Sequence, residues 1–285
     1  MNWEACKSFW PNAEHSRFVH SGPHVWHVQE MGSGPDLLLI HGAGASTHTW
    51  RDVLPRLARN FRAMAIDLPG QGFTRLGARG RCGLQEMSAD IASLLEDQRI
   101  IPEAIVGHSA GGAIALRLAL DLPVPPVAVV GINAALRNFR GPAAIVFPAA
   151  AKLLSMIPGT ARAFCWTASS ESRVRRLIDS TGSHLDAYGI GLYRLLLSDR
   201  DHVAATLNMM AQWDLAPLLS DLPANVIPTL LLVGCHDRAI PPETGERTAG
   251  LIANSKLMRF PLGHLLHEED SGEAALAIQE WLSSL

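Results

Sequence analysis

The sequence AIVGHSAGGAIALRLAL, residues 104–120, decides the fold that we expect for this chain. Its first residues, Ala104 to Val106, form a short apolar run that is typical of a buried strand, and residues 110–120 form an apolar helix. Between them, Gly107-His108-Ser109-Ala110-Gly111 matches G-x-S-x-G, in which a sharp strand-to-helix turn exposes a serine hydroxyl. Flanking glycines permit a strained backbone and close helix–strand approach. Ser109 is therefore the candidate nucleophile; the alternative is an ordinary serine in a tight turn.

Strand-like and helix-like segments alternate around this motif, which predicts a mostly parallel sheet flanked by helices. The predicted strands are Val25–Gln29, Leu37–Ile40, Ala63–Ile66, Ala104–Val106, Val127–Ile132, Thr229–Val233 and Lys256–Phe260. The predicted helices are Thr49–Arg59, Leu84–Gln98, Ala110–Leu120, Glu243–Ile252 and Gly272–Leu282. Between residues 135 and 226 the pattern is helical and irregular. We expect 1–134 and 227–285 to form the core, and 135–226 to form a helical lid over the edge where open α/β sheets bind ligands.

A base and an acid must accompany the serine, because a serine hydroxyl is a poor nucleophile without an adjacent, oriented base. Folds that carry G-x-S-x-G on such a turn supply these partners in the order serine, acid, histidine. Among 12 histidines, His264 is the predicted base because it lies in a loop just after the last predicted strand. Asp237 is the predicted acid because it directly follows the buried strand Thr229–Val233.

Other residues compete for both roles. His267 lies three residues beyond His264, but no further ligand motif accompanies the pair, so we predict no metal and no cofactor. Asp67 also follows a strand but precedes the serine, and Asp214 lies at the end of the predicted lid. The alternative interpretation of Asp237 is an aspartate in a surface turn before two prolines.

The segment Ile40-His41-Gly42-Ala43-Gly44 ends an earlier buried strand. In folds with a G-x-S-x-G turn, one backbone N–H from this loop and one from the residue after the serine stabilise a developing oxyanion. We predict that Ala43 and Ala110 supply these donors. The alternative is a glycine-rich turn that serves only to reverse the chain.

These motifs together resemble the α/β-hydrolase superfamily, because HGAGAS, DLPGQG, GHSAGG and GHLLHEE occur in its order along nearly the whole chain. A narrower resemblance, to the magnesium-chelatase accessory proteins of bacteriochlorophyll biosynthesis (the BchO family), lies in five segments. They are Trp26–Val28, His41–Trp50, Gly107–Ala115, Asp179–Ser183 and Met209–Leu215. The resemblance implies an α/β-hydrolase fold, a role in photosynthetic pigment synthesis and magnesium chelatase as a partner. It implies no particular reaction.

Aromatic and methionine residues of the predicted lid favour an apolar, adaptable pocket. Trp166, Met210 and Trp213 are the predicted substrate contacts, and the alternative is that they pack the lid against the core. The arginines of residues 173–176 offer partners for substrate carboxylates, with a solvated helix face as the alternative. For such a pocket, the family resemblance implies a tetrapyrrole-like substrate.

The composition excludes several other classes. The chain has 285 residues and 48% hydrophobic content, enough to bury one large core. Its formal net charge of −3, without a basic arm, argues against a nucleic-acid partner. Four scattered cysteines without a C-x-x-C pair favour a reducing compartment, so we expect a cytoplasmic protein. No apolar run predicts a spanning helix, while residues 142–158 are apolar enough for peripheral membrane contact or for a buried lid helix.

A serine at the nucleophile position favours acyl chemistry on an ester or a related carbonyl. Dehalogenases and epoxide hydrolases of the resembled superfamily carry an aspartate there, so Ser109 argues against both. Three functions stay open at this point. They are a serine hydrolase, an accessory protein that binds a porphyrin for magnesium insertion with little or no turnover, and a lyase or cofactor-free haloperoxidase on the same triad.

Overall fold

A computed structural model describes residues 1–137, 165 and 170–285 of the chain. Within these residues, eight strands form one sheet in the order β1-β2-β4-β3-β5-β6-β7-β8. The strands are β1 Ser16–Ser21, β2 His24–Met31, β3 Asp36–Ile40, β4 Arg62–Ile66, β5 Ala104–His108, β6 Ala128–Ile132, β7 Thr229–Gly234 and β8 Ser255–Phe260. The β1–β2 and β2–β4 pairs are antiparallel and the other five pairs are parallel. The predicted mostly parallel sheet is confirmed.

Helices flank the sheet and also follow β6. In chain order they are α1 Trp3–Cys6, α2 Leu54–Leu57, α3 Leu84–Gln98, α4 Ala110–Asp121, α5 Glu171–Ser180, α6 Ala187–Ser198, α7 Arg200–Gln212, α8 Ala216–Asp221, α9 Glu243–Ala249, α10 Leu266–Glu269 and α11 Ser271–Leu282. Helices α5 to α8, here called the inserted helices, lie between β6 and β7 in the chain. The predicted lid boundaries, 135–226, stay a prediction because part of that segment lies outside the described residues.

The central strands are apolar on both faces because each face is covered by helices. Side chains alternate along β3, so neighbouring leucines enter opposite layers. Leu38 packs in one buried layer with Ile91 of α3 and Ile114 of α4. Leu39 packs in the other layer, which contains Ile278 of α11. This double burial fixes the sheet between two cores and leaves the C-terminal strand ends as the edge where polar residues collect.

The structure differs from the prediction at one predicted helix and at one strand that the sequence pattern does not indicate. The predicted helix Thr49–Arg59 is wrong: Thr47–Trp50 form a 3-10 turn and α2 begins only at Leu54. Pro55 lies in the first turn of α2, where its missing N–H costs least, and it cannot continue a helix from Thr49. Strand β1 was not predicted, because it is an edge strand in which only Val19 and Ser21 are buried.

None of the helices described in residues 1–137 and 170–285 has both the length and the apolar character that crossing a membrane requires. The apolar segment 142–158 lies outside the described residues. Peripheral membrane contact through that segment therefore stays a prediction.

Candidate active site

The turn that carries Ser109 lies at the C-terminal end of β5. Ser109 has φ 52° and ψ −118°, a backbone conformation that residues other than glycine rarely adopt. Its N–H donates to the Ile132 carbonyl at 2.9 Å, and its carbonyl accepts from the N–H groups of Gly112 at 3.0 Å and Ala135 at 2.9 Å. Backbone hydrogen bonds on both sides therefore hold the strained residue, whose side chain is half-buried between two buried neighbours.

Glycines around the turn are required by close backbone contacts. A Cβ atom on Gly107 would overlap the Gly111 carbonyl, and one on Gly111 would overlap the Ile40 carbonyl at the end of β3. A Cβ atom on Gly42 would lie 3.0 Å from Cβ of Ser109. The loop after β3 therefore passes directly beside the serine, as an oxyanion loop must.

Asp237 and His264 form a hydrogen-bonded pair at the ends of β7 and β8. Asp237 Oδ2 lies 2.8 Å from His264 Nδ1, and Asp237 Oδ1 accepts from the N–H groups of Ala239 and Ile240 at 2.8 Å each. The aspartate side chain is fully buried and that of the histidine is 11% exposed. Because the carboxylate accepts from Nδ1–H, the neutral ring presents Nε2 as its proton acceptor. This is the arrangement of a general base with its orienting acid.

The backbone of His264 is also held by hydrogen bonds. Its carbonyl accepts from Asn133 Nδ2 at 2.9 Å and from His108 Nε2 at 3.0 Å. Asn133 Oδ1 also accepts from the Gly234 N–H at 2.7 Å, so this side chain joins the loops after β6, β7 and β8. Sequence analysis does not single out Asn133; the available signal is an asparagine directly after a buried strand, at φ 43°, which asparagine tolerates better than most residues.

Ser109 and His264 both adjoin His108. The rings of His108 and His264 have centroids 4.7 Å apart, and Ser109 follows His108 in the chain. Within the described residues, no hydrogen bond joins the Ser109 hydroxyl to the His264 ring. Such bonds are often long without substrate and shorten in the reacting complex. The structure brings acid and base together and places the serine on the adjoining turn.

The loop after β3 is pinned by side chains from two other segments. Gln71 Oε1 accepts from the Gly44 N–H at 2.7 Å, and His202 Nε2 of α7 donates to the Gly44 carbonyl at 3.1 Å. The N–H groups of Ala43 and Ala110 donate to no other described residue. Both predicted oxyanion donors are thus unengaged within that part of the chain, and their catalytic use stays a prediction.

Buried histidines around the site are neutral at pH 7. Burial and the nearby histidines lower the pKa of His108 well below its usual value, and burial, the neighbouring His264 and the Arg51 charge do the same for His267. The rings of His108 and His267 have centroids 4.4 Å apart. Burial also lowers the pKa of His202 to about 4. These rings therefore place no permanent positive charge beside His264.

A buried carboxylate follows the base along the chain. Glu268 Oε1 accepts from Thr49 Oγ1 at 2.6 Å and from Tyr193 Oη of α6 at 2.7 Å, and Arg51 donates to Oε2. His267 Nε2 donates to the same threonine hydroxyl at 2.7 Å. Burial raises the pKa of Glu268, although Arg51 acts in the opposite direction. This network ties one inserted helix to the segment that carries His264.

The predicted substrate contacts occupy different environments. Trp166 lies outside the described residues. Met210 is 39% exposed on α7, and Trp213 is half-buried against the core at the end of that helix. Met209, which precedes Met210, is buried, and its sulfur lies 3.3 Å from Gln71 Nε2. Substrate contact by Trp166, Met210 and Trp213 stays a prediction.

A groove of about 1010 Å³ lies between the N-terminal segment, residues 70–79 and α7. Its lining includes Trp3, Phe73 and Asn208, but not Ser109, Asp237 or His264. The groove is therefore separate from the three residues that sequence and geometry single out.

Comparison with known proteins agrees with the observed fold. Residues 37–277 match the alpha/beta hydrolase family. The chain belongs to that family. It is 42% identical over 284 residues to the magnesium-chelatase 30 kDa subunit of Rhodobacter capsulatus, which covers 99% of each chain. Both resemblances inferred from the sequence are confirmed.

Two further proteins, one similar in sequence and one in fold, cover most of the chain. Pyrrolizixenacetamide deacetylase of Xenorhabdus hominickii is 23% identical over 265 residues, which are 89% of this chain and 92% of that one. An alpha/beta hydrolase fold protein from Burkholderia ambifaria superposes with a TM-score of 0.76 at 24% identity, covering 93% of this chain and 100% of that chain. The latter likeness establishes the fold alone.

Proposed function

We propose that the protein is a serine hydrolase that cleaves an ester or a related acyl substrate. The observation that carries this proposal is the buried Asp237–His264 hydrogen bond of 2.8 Å on the loops beside Ser109, whose backbone is held at φ 52°. A strained serine held by glycine contacts is costly to maintain, and such strain is concentrated at functional sites. A deacetylase name among the relatives supports acyl chemistry.

The proposed reaction has two halves. His264 Nε2 takes the Ser109 proton while the hydroxyl oxygen attacks the substrate carbonyl carbon, and the Ala43 and Ala110 N–H groups stabilise the oxyanion. His264 then gives the proton to the leaving alcohol, and an acyl group stays on Ser109. In the second half, His264 takes a proton from water, which attacks the acyl carbon, and returns it to the serine. The inserted helices are proposed to act as the lid that covers these steps.

Hydrolysis of short-chain p-nitrophenyl esters tests the proposal. We expect Ser109→Ala to lower kcat at least about 10³-fold, because no other residue forms the acyl intermediate. Ser220→Ala is the matched control, since Ser220 is exposed and donates to the Pro217 carbonyl within its own helix. Equal rates for wild type and Ser109→Ala would overturn the proposal.

A second role is favoured by one specific observation, the 42% identity over 99% of both chains to a magnesium-chelatase subunit. We propose on this basis that the protein acts with magnesium chelatase in bacteriochlorophyll biosynthesis. In the non-catalytic form of this role, the hydrolase scaffold binds a porphyrin for magnesium insertion, and ester turnover is incidental.

Titration with protoporphyrin IX, followed by quenching of tryptophan fluorescence, tests this second role. We expect saturable quenching at micromolar porphyrin, equal in wild type and Ser109→Ala, because binding does not need the nucleophile. Fast ester turnover without any quenching would reject porphyrin binding and leave the hydrolase proposal standing.

A further inference from the structure

A short segment after α5, Thr181–Ser183, contacts both loops that carry the acid and the base. The Thr181 carbonyl accepts from the Arg238 N–H at 3.0 Å, one residue beyond Asp237. The Ser183 hydroxyl oxygen accepts from the Leu265 N–H at 2.7 Å, one residue beyond His264. The two contacts place this segment of the inserted helices directly behind the Asp237–His264 pair.

The backbones at this junction are in close contact. Gly182 has φ +87°, and a Cβ atom there would overlap the His236 carbonyl. A Cβ atom on Gly263 would overlap the Gly182 carbonyl and lie 2.5 Å from the Ser183 hydroxyl oxygen. Ser183 itself is fully buried. The serine hydroxyl is thus the buried acceptor for a buried backbone donor at the base of the His264 loop.

We propose that Ser183 is a positioning residue that orients the His264 ring towards Ser109, an inference that rests on the proposed function. Without its acceptor, the buried Leu265 N–H has to turn to find another, and His264 turns with it. A displacement of about 1 Å in a catalytic group lowers rates by up to about 10²-fold.

Other contacts to the same loop make a displacement, rather than unfolding, the expected consequence of losing Ser183. The Gly263 N–H donates to Glu269 Oε1 at 2.9 Å, and the His264 carbonyl keeps its bonds from Asn133 and His108. These bonds keep the path of the backbone at residues 263 and 264, while the peptide group of Leu265 is free to rotate.

The first test is ester hydrolysis by Ser183→Ala, with kcat calculated per molecule of protein whose Ser109 is reactive. We expect kcat to fall about 10-fold while KM changes less than about 2-fold, since the loss concerns the base and not substrate contacts. Ser180→Ala is the matched control, because Ser180 is exposed and donates to the Leu177 carbonyl of its own helix. If Ser183→Ala does not fold, Ser183→Cys, with similar volume and a weaker acceptor, is measured in its place.

A double-mutant cycle with His264→Ala shows whether Ser183 acts through the base. If it does, Ser183→Ala has no further effect on the residual rate of His264→Ala. An equal 10-fold loss in both backgrounds would overturn the proposal, because the effect would then be independent of His264.

A readout that needs no turnover separates this inference from the proposed function. The downfield proton resonance of His264 Nδ1–H, assigned by its loss in His264→Ala, reports the bond to Asp237. We expect it in wild type and Ser180→Ala, and broadened or absent in Ser183→Ala. An unchanged resonance in Ser183→Ala would overturn the positioning role, whereas a sharp wild-type resonance without ester turnover would overturn only the hydrolase proposal.

Discussion

The turn that carries Ser109 and the loops that carry Asp237 and His264 are held in place by different means. Around the serine, backbone packs on backbone and glycines are the only residues that fit. Around the acid and the base, side chains from distant segments, such as Asn133 and Ser183, make the decisive hydrogen bonds. The first arrangement depends on close backbone contact between the turn and the end of β3. The second joins the loop after β8 to a segment that follows the inserted helix α5, through the bond from the Leu265 N–H to the Ser183 hydroxyl.

The largest expected effect comes from breaking the side-chain-held region at Asp237→Asn. We expect kcat to fall about 10³- to 10⁴-fold, because an amide facing Nδ1 favours the wrong tautomer of His264. Unfolding temperature should change little, since the side-chain oxygen that accepts from Ala239 and Ile240 is retained. Ester kinetics measure the change in kcat, and thermal denaturation measures the change in unfolding temperature. Asp214→Asn is the control, and an equal loss of rate there would contradict the assignment of the acid.

Breaking the backbone-packed region should act on folding instead. We expect Gly111→Ala to lower the free energy of unfolding by at least about 3 kcal/mol, because its Cβ would overlap the Ile40 carbonyl. Urea denaturation followed by circular dichroism measures this. A stable Gly111→Ala protein of wild-type activity would contradict the close packing at this turn.

The loop after β3 is also held by an inserted helix, because His202 Nε2 of α7 donates to the Gly44 carbonyl. His202 Nδ1 accepts from the Gly72 N–H, which lies in the segment after β4. As pH falls below 6.5, the unfolded ring takes up a proton, while the folded ring, with its pKa lowered by burial to about 4, does not. The stability supplied by the neutral ring is complete above pH 6.5 and is lost as pH falls through this range to about 4, in total about 3 kcal/mol.

Denaturation of wild type and His202→Gln at pH 7 and pH 4.5 measures this loss. We expect the stability of the variant to depend less steeply on pH, by about 2 kcal/mol over this interval. His184→Gln is the control, since the side chain of His184 is exposed. Equal pH dependence for wild type and His202→Gln would contradict the role of His202.

The smallest effect sharpens the contrast between glycines that are needed and one that is not. Nothing lies within 4 Å of a Cβ atom built on Gly191 in α6. We expect Gly191→Ala to raise the free energy of unfolding by about 0.5 to 1 kcal/mol, as alanine does inside a helix. Urea denaturation of Gly191→Ala and Gly111→Ala measures the free energy of unfolding of each variant. A lower free energy of unfolding for Gly191→Ala than for wild type would contradict the open space at Gly191.

The same contrast explains what could be predicted from the sequence. The G-x-S-x-G turn and the central strands are local patterns, and the strands at residues 37–40, 63–66 and 229–233 are confirmed to within one or two residues. Asp237 and His264 were predicted from their places after successive strands, and the structure shows them hydrogen-bonded to each other. The helix predicted from Thr49 is wrong because Pro55 lacks the N–H that a continuous helix needs and therefore lies in the first turn of α2.

Residues that support the site could not be predicted in this way. Ser183 and Leu265 meet across 82 residues, and Asn133 and His264 across 131, so no local pattern signals either pair. Glu268 appears in the sequence only as part of GHLLHEE, and its partners Arg51 and Tyr193 come from other segments. Such contacts follow from the tertiary fold and leave no periodic signature.

Labelling with a fluorophosphonate, followed by mass-spectrometric mapping, tests the central claim most directly. We expect one modified residue per chain at Ser109 in the wild type, none in Ser109→Ala, and much slower labelling in His264→Ala, whose serine lacks a base. Absence of labelling in folded wild-type protein, or a label on another residue, would contradict the claim that Ser109 is a nucleophile activated by His264 and Asp237.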